Sequence, residues 1–184
     1  MKTIGILSLQ GCVEPHIKHL DALGVKHLEV KRPEDFDKID ALVLPGGEST
    51  TMLKLIDHFK IWEKLEEASH HIPFWGICAG SILMAKKIVG ADQRSLSIMD
   101  IDIKRNAYGR QVDSQEAIIK NYEVAFIRAP IVSRVGKACD VMASYEKHPV
   151  WIKQGKHMVS TFHSELNKQV PSPFHKEFLR SLEV

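Results

Sequence analysis

Short apolar runs alternate with helix-patterned segments through about the first ninety residues, and this alternation leaves few folds open to the chain. The runs cover residues 3–9, 25–30, 41–44 and 73–77, and a glycine or a proline soon follows each of them. Runs this short favour buried strands, and helices between strands imply right-handed crossovers onto a parallel sheet. The sequence therefore predicts an α/β fold with a doubly wound, mostly parallel sheet that helices cover on both faces.

The spacing of apolar residues also places the helices and divides the chain into two halves. Helical spacing is found at residues 13–20, 52–59, 82–85 and 171–182. From about Ser97 the pattern changes to strand-like pieces, at residues 98–103, 122–128, 141–145, 150–153 and 157–162. The second half is therefore predicted to be antiparallel or mixed, with a terminal helix packed on the sheet. We expect one domain over residues 1–184.

Composition and charge exclude several classes of function. The chain has 184 residues, 25 Lys and Arg against 23 Asp and Glu, and 44% hydrophobic residues, as in an ordinary soluble domain. No stretch approaches the roughly 18 apolar residues of a membrane span, and the N-terminal apolar run is too short for a secretory signal. The lack of a Lys and Arg run argues against a nucleic-acid surface. We expect a cytoplasmic protein with a small-molecule ligand and with neither a membrane nor a nucleic acid as partner.

Three cysteines, Cys12, Cys78 and Cys139, are too scattered for a disulfide framework or a metal ligand set. Cys78 differs from the others because residues 76–80 read Gly-Ile-Cys-Ala-Gly, the G-x-nucleophile-x-G pattern of a sharp turn between strand and helix. Small neighbours are needed where the backbone crowds at such a pivot. A thiolate at the start of a helix is a candidate nucleophile. The alternative is a buried structural cysteine with glycines for packing.

A cysteine nucleophile usually needs a base, and the chain has ten histidines. His163 follows a predicted strand, and Glu165 two residues later would point to the same side of an extended chain. A carboxylate so placed orients the imidazole and stabilises its protonated form, as the acid of a catalytic triad does. On spacing alone the H-x-E pattern is weak, because a surface His beside a Glu is commoner. Six other histidines are predicted to be solvated rather than catalytic: His16, His19, His27, His70, His71 and His148.

A third pattern is found at residues 44–50, which read Leu-Pro-Gly-Gly-Glu-Ser-Thr and join a strand end to a helix start. Glycines in such a turn let a backbone N–H approach a ligand closely, and the helix N-terminus favours negative charge. The phosphate-binding patterns G-x-x-x-x-G-K-[ST] and G-x-G-x-x-G are both missing. In isolation, the segment is also explained as a tight strand-to-helix turn.

Together, these three patterns resemble the class I, or triad, glutamine amidotransferases. The chain is most similar to the glutaminase subunits of pyridoxal 5′-phosphate synthases, and the similarity spans almost its whole length. Further motifs of these subunits recur in the same order: Leu9-Gln10-Gly11, Lys31-Arg32-Pro33, Arg105-Asn106 with Gly109-Arg110-Gln111, and Ile127-Arg128-Ala129-Pro130. Other class I glutaminases often have Leu in place of Ala79, and they lack the motif from Arg105 to Gln111.

The resemblance implies a set of site residues. Cys78 is implied as the nucleophile, with His163 and Glu165 as the other members of the triad. The backbone N–H groups of Gly47 and Ala79 are implied as the oxyanion hole. The implied glutamine-binding residues are Gly47, Glu48, Ser49, Arg105, Ile127 and Arg128. A guanidinium suits the α-carboxylate of an amino acid, and which of the two arginines binds it is left open.

The resemblance also implies the reaction and its setting. Glutamine would be hydrolysed to glutamate and ammonia through a γ-glutamyl thioester, without a cofactor or a metal. The ammonia would pass to a separate synthase subunit, within a hetero-oligomer, for the synthesis of pyridoxal 5′-phosphate (vitamin B6). Gln10, at the first turn, is the candidate residue for relaying partner contact to the oxyanion hole.

Three residues depart from the pattern of these subunits: Ser164 stands where many members have Pro, Cys12 replaces a small Ala, and Ser8 takes a place often held by Gly. Proline would fix φ, so Ser164 is expected to loosen the neighbouring triad geometry slightly. Cys12 has no sharp turn of the Cys78 kind around it and is interpreted as a packing residue. Two other functions stay open. One is another enzyme on the same fold, either a glutaminase that feeds a different synthase or a cysteine hydrolase that acts on a different amide. The other is a binding module in which Cys78 is inert.

Overall fold

The computed structural model describes residues 2–105 and 114–182. Its strands, in chain order, are β1 Thr3–Leu7, β2 Lys26–Val30, β3 Ala41–Leu44, β4 Phe74–Ile77, β5 Ala85–Val89, β6 Met99–Lys104, β7 Gln115–Ile119, β8 Tyr122–Phe126, β9 Ile131–Val135, β10 Asp140–Tyr145, β11 His148–Gln154 and β12 His157–Ser160. Its helices are α1 Val13–Ala22, α2 Ser49–His58, α3 Trp62–His71, α4 Ala79–Met84 and α5 Pro173–Arg180, with a 3-10 helix at Pro33–Lys38. None of these helices is long and apolar enough to cross a bilayer.

Within the described residues, seven strands form the central sheet in the order β10-β11-β12-β4-β3-β1-β2. The neighbours from β12 to β2 all pair in parallel. The pairs β10-β11 and β11-β12 are antiparallel. Beside this sheet lie a three-stranded sheet, β5-β6-β9, and the hairpin β7-β8. The predicted α/β fold, with a mostly parallel sheet and a mixed second half, is confirmed.

The central strands are buried on both faces of the sheet. Every residue of β3 and β4 is buried, as expected for parallel strands that helices cover on both sides. Because side chains alternate along a strand, Leu42 and Leu44 face one apolar cluster while Ala41 and Val43 face the other. Helices α2, α3 and α4 pack into the first cluster, and α1 and α5 pack into the second.

Some elements differ from the sequence prediction. Helix α4 begins at Ala79 and ends at Met84, so the helical pattern predicted at residues 82–85 covers only its last three residues. Strand β5 begins at the next residue, Ala85. Helix α3, the 3-10 helix and strands β5, β7 and β9 lie outside the predicted segments. The pattern of α3 is weak because it buries only Leu65 and Ser69.

Candidate active site

The sharp turn predicted around Cys78 is present. Strand β4 ends at Ile77 and helix α4 begins at Ala79, with Cys78 between them at φ 48° and ψ −103°. A non-glycine residue with positive φ stores strain, and such strain concentrates at functional sites. The pivot is held by its own N–H, which donates to Ser160 O at 2.8 Å. The turn therefore presents a thiol that is 6% exposed at the end of a buried strand.

His163 and Glu165 lie just beyond β12 and form a buried pair. The backbone of His163 is fixed by Ala125, whose carbonyl accepts the His163 N–H at 2.7 Å. His163 Nδ1 is 2.6 Å from Glu165 Oε1, so the ring donates from Nδ1 and leaves Nε2 for the thiol side. Burial lowers the pKa of His163, but contacts with Cys12, Cys78 and Glu165 outweigh it and hold this pKa well above its usual range. The surroundings therefore stabilise the imidazolium form.

Glu165 is held as a buried anion. Burial raises the pKa of Glu165, but nearby His16 and the hydrogen bond from His163 bring it below the ordinary value. His16 Nε2 lies 3.9 Å from the same oxygen, Glu165 Oε1. His19 Nε2 donates to the backbone oxygen of Glu165 at 3.1 Å. The carboxylate that orients His163 is thus itself positioned from α1.

The prediction that His16 and His19 are solvated is wrong, because both are completely buried. They lie on the face of α1 that packs beneath α5, one turn apart and beside buried Leu20. By contrast, His70 and His71 are exposed, as predicted. His27 and His148 are partly exposed.

Two hydrogen bonds link the start of α5 to His16, whose Nε2 lies 3.9 Å from Glu165 Oε1. Ser172 Oγ is 2.6 Å from His175 Nδ1, and His175 Nε2 is 2.9 Å from His16 Nδ1. With Ser172 Oγ donating to His175 Nδ1, His175 donates from Nε2 to His16 Nδ1. The remaining N–H of His16, at Nε2, then points toward Glu165. Burial lowers the pKa of His16 to about 4 and that of His175 well below its usual range, so both rings are neutral at pH 7. A neutral donor therefore faces the triad carboxylate.

The glycine pair after β3 packs directly against the site. A Cβ on Gly46 would overlap the His163 ring, and a Cβ on Gly47 would overlap the side-chain amide of Gln10. Gln10 Oε1 accepts the N–H of Glu48 at 3.4 Å, and Gln10 Nε2 has no hydrogen-bond partner in the described part of the chain. Only glycine fits this close approach, and Gln10 and Gly47 then line the pocket side by side.

Glu48 caps helix α2 and holds Arg105. Its Oε2 accepts the Thr51 N–H at 2.7 Å, and its Oε1 accepts from Arg105 Nη2 at 3.2 Å. Burial raises the pKa of Glu48, but the hydrogen bonds of the first helical turn outweigh it and lower this pKa to about 2. Gln93 Oε1 accepts from Arg105 Nη1 at 2.6 Å and from Ser49 Oγ at 3.2 Å. Gln93 was not predicted as a site residue, because an isolated glutamine carries no sequence pattern.

These groups surround one pocket of about 450 Å³, a volume within the usual range for small-molecule sites. The lining residues are Gln10, Cys12, Gly47, Glu48, Ser49, Cys78, Ala79, Ile82, Arg105, Ile127, Arg128 and His163. Every residue that the resemblance implied is among them except Glu165, which lies behind His163. The motif residues Asn106, Gly109, Arg110 and Gln111 lie outside the described residues.

Two lining residues have features that the sequence did not indicate. Cys12, interpreted as a packing residue, is half-buried in the pocket wall and faces His163. Arg128 is exposed, has φ 45°, and forms no ion pair among residues 2–105 and 114–182. The carbonyl of its neighbour Ile127 accepts from Cys78 Sγ at 3.9 Å. The segment after β8 therefore places the Ile127 carbonyl against the Cys78 thiol. It also places Arg128, which has no ion-pair partner in the described part of the chain, at the pocket.

Comparison with known proteins gives consistent matches. The chain matches the SNO glutamine amidotransferase family over residues 6–184. It is 42% identical to pyridoxal 5′-phosphate synthase subunit PdxT of Thermotoga neapolitana, across 96% of this chain and 97% of that protein. It is 43% identical to the protein of the same name from Bacillus velezensis, across 90% of this chain and 88% of that protein. A crystal structure described as a glutamine amidotransferase aligns with a TM-score of 0.89 at 36% identity, covering 98% of this chain and 99% of that one.

Proposed function

The chain belongs to the SNO glutamine amidotransferase family, and from this premise we propose that it hydrolyses glutamine to glutamate and ammonia in the Cys78 pocket. The observation that carries the proposal is the buried 2.6 Å contact between His163 Nδ1 and Glu165 Oε1, beside the Cys78 thiol. A nucleophile, a base and a carboxylate that orients the base are the three parts of a hydrolytic triad. The proposed triad is therefore Cys78, His163 and Glu165.

In the first half of the reaction, His163 Nε2 takes the proton of Cys78, and the thiolate attacks the side-chain carboxamide carbon of glutamine. The resulting oxyanion is stabilised by the N–H groups of Ala79 and Gly47. Ala79 is the first residue of helix α4, so its N–H has no partner within that helix. His163 then gives the proton to the departing nitrogen. Ammonia leaves, and a γ-glutamyl thioester remains on Cys78.

In the second half, His163 removes a proton from water, and the hydroxide attacks the thioester carbon. The same two N–H groups stabilise the new oxyanion. The collapse of this intermediate breaks the carbon–sulfur bond, and the thiolate of Cys78 is protonated again. Glu165 keeps the ring oriented and stabilises its positive charge in both halves. Glutamate is released, and the enzyme returns to its starting state.

We assign the α-carboxylate of glutamine to Arg128. Arg105 is already balanced by the ionised Glu48, with which it forms a 3.2 Å ion pair. Arg128 reaches the same pocket and has no ion-pair partner in the described residues, so a substrate anion would neutralise it. Charge-assisted hydrogen bonds from a guanidinium to a carboxylate give both affinity and orientation. Arg105 and Ser49 then form part of the pocket wall, and both donate to Gln93 Oε1.

We further propose that a synthase subunit receives the ammonia within a hetero-oligomer that makes pyridoxal 5′-phosphate. The names of the relatives from Thermotoga neapolitana and Bacillus velezensis, each a pyridoxal 5′-phosphate synthase subunit, support this partner. Gln10 is the proposed relay, since its side chain packs on Gly47 at the oxyanion hole. Residues 1–184 would act as one glutaminase domain without a cofactor. Its three free thiols suit the cytoplasm, which we propose as its location.

The test is glutamate release from glutamine by the purified chain, alone and with the synthase subunit from the same source. Wild type should be stimulated by the partner, and Cys78→Ala should be inactive under both conditions. Gln10→Ala should still bind the partner but lose most of the stimulation. Activity that ignores the partner would overturn the proposed assembly. No activity in either condition would overturn the catalytic proposal and favour a binding module.

A further inference from the structure

A second thiol lies in the pocket beside the proposed triad. Cys12 is the N-cap residue of α1, and its N–H donates to Gly46 O at 3.1 Å. This bond holds the first turn of the chain against the glycine pair after β3. The half-buried side chain of Cys12 lines the pocket together with Cys78 and His163.

The donor atoms around His163 are close together. Cys12 Sγ, a ring nitrogen of His163 and a carboxylate oxygen of Glu165 all lie within 4.8 Å of one another. The thiol of Cys78 contacts the same imidazole and helps to raise its pKa. Glu165 Oε2 is buried and has no hydrogen-bond partner within the described residues. Both thiols therefore contact one imidazole, and Glu165 holds the other ring nitrogen of that imidazole.

This set of donors has the chemistry of a soft-metal site. Thiolate sulfur and imidazole nitrogen are common ligands of Zn²⁺ in proteins. A histidine that binds a metal almost always donates its other ring N–H to a carboxylate or a carbonyl. His163 has this orientation already, because Nδ1 donates to Glu165 and Nε2 is left for the thiols. Bonds from Zn²⁺ to sulfur are about 2.3 Å long, so the Cys78 thiol, which lies outside the 4.8 Å cluster of Cys12, His163 and Glu165, has to move closer to bind the same ion.

We propose that Cys12, Cys78 and His163 bind a soft divalent cation such as Zn²⁺, and that the bound ion blocks the pocket to substrate. Each thiol, and the imidazolium of His163, releases one proton as it binds the ion, so binding tightens as the pH rises. The ion occupies the nucleophile and the base together. The blocking effect rests on the proposed glutaminase reaction, whereas the binding of the ion does not.

Equilibrium dialysis with Zn²⁺ tests the binding in wild type, Cys12→Ala, Cys78→Ala and Cys139→Ala. Cys139 is the matched control, because it is a half-buried free thiol that contacts Asp100 and Gln154 outside the pocket. Wild type and Cys139→Ala should each bind one ion with equal affinity. Loss of an outer-shell partner already costs about 10- to 100-fold in metal affinity, so loss of a direct ligand should weaken binding at least about tenfold.

Two further measurements separate a ligand from a structural residue. Cd²⁺ bound to thiolates has an ultraviolet charge-transfer band, and Cys12→Ala should reduce its intensity by about half as one of two sulfur ligands is lost. Cys12→Ser gives a second variant of similar size, and circular dichroism checks the fold of each protein. Equal zinc affinity in wild type and both Cys12 variants, or an undiminished cadmium band, would overturn the proposed site.

Zinc titration of glutamate release tests the block, with each variant normalised to its own zinc-free rate. Wild type should be inhibited at zinc concentrations at least about tenfold below those needed for Cys12→Ala. Equal inhibition of both proteins would overturn the role of Cys12. If neither protein releases glutamate without zinc, the proposed function fails, and the dialysis result still decides the metal site.

Discussion

Replacing Glu165 by Gln removes one charge from the centre of the proposed triad and leaves the shape of the side chain nearly unchanged. The wild-type carboxylate accepts from His163 Nδ1 at 2.6 Å, and both side chains are 5% exposed or less. A hydrogen bond to a charged group is worth about 1.5–3 kcal/mol, which corresponds to about 10- to 150-fold in rate if it is lost in the transition state. His163 itself remains, so the loss should stay below the roughly 10²- to 10⁴-fold of complete acid–base catalysis.

The assay is the rate of glutamate release with the partner subunit present, followed across pH. The carboxylate helps to hold the pKa of His163 above its usual range, so Glu165→Gln should lower that pKa. The alkaline limb of the kcat profile, where His163 loses its proton, should then move to lower pH. Glu14→Gln is the matched control, because Glu14 is an exposed carboxylate on α1. A Glu165→Gln enzyme with wild-type kcat and an unchanged pH profile would refute the triad assignment.

Three other predictions concern Arg128 in the pocket, His16 behind Glu165 and the buried His157 beside Phe74. Arg128→Ala should raise KM for glutamine about tenfold or more with little change in kcat, because a lost carboxylate contact acts on ground and transition states alike; steady-state kinetics that show only a kcat loss would contradict the assignment of Arg128. His16→Phe should lower kcat about tenfold, whereas His16→Gln, which keeps an N–H donor toward Glu165, should recover most of it; equal rates in both variants would exclude a positioning role. Burial lowers the pKa of His157 to about 4, and its Nδ1 accepts the Phe74 N–H at 3.3 Å. Between pH 6.5 and pH 4 the unfolded chain binds a proton at this position that the folded chain does not, so stability falls as the pH drops, by about 1.4 kcal/mol per pH unit. His157→Asn keeps the acceptor and should remove one proton from that dependence, as urea unfolding at pH 7 and pH 5 would measure.

The position of the site could be predicted because the ends of parallel strands meet at one edge of the sheet. The segments after β1, β3, β4 and β12 supply Gln10, Gly47, Cys78 and His163, and all four line the same pocket. In an α/β sheet, ligands bind outside the carboxyl ends of the strands. Short apolar runs followed by glycine locate those ends in the sequence, so the spatial cluster follows from local patterns.

The buried histidines that contact Glu165, namely His16 and His19, could not be predicted as such, because their burial depends on contacts between helices α1 and α5, which are far apart in the sequence. His16 has helical spacing to Val13 and Leu20, but a polar ring there gives no sign of the partner that will satisfy it, and that partner, His175, is 159 residues away in sequence. Polar residues on a helix give no local sign that another helix will bury them. The burial of these histidines is a tertiary property.

Cys12, which lines the pocket, and Gln93, which holds Arg105, were missed for a related reason. Cys12 is brought to the pocket by one backbone hydrogen bond to Gly46, which no sequence pattern encodes. Gln93 follows β5, a strand that was not predicted, and its place beside Arg105 depends on the small sheet formed by β5, β6 and β9. Short strands with exposed residues lack the apolar run that marks the central strands.

The most direct test of the central claim is to label the protein with an electrophilic glutamine analogue and to locate the adduct by peptide mass spectrometry. Cys78 is the proposed nucleophile, so one adduct per chain is expected on Cys78. Excess glutamine should protect it, and Cys78→Ala should not be labelled. Cys139 serves as an internal control for reactivity outside the pocket. An active protein labelled on Cys12 in place of Cys78, or labelled equally with and without glutamine, would contradict the account.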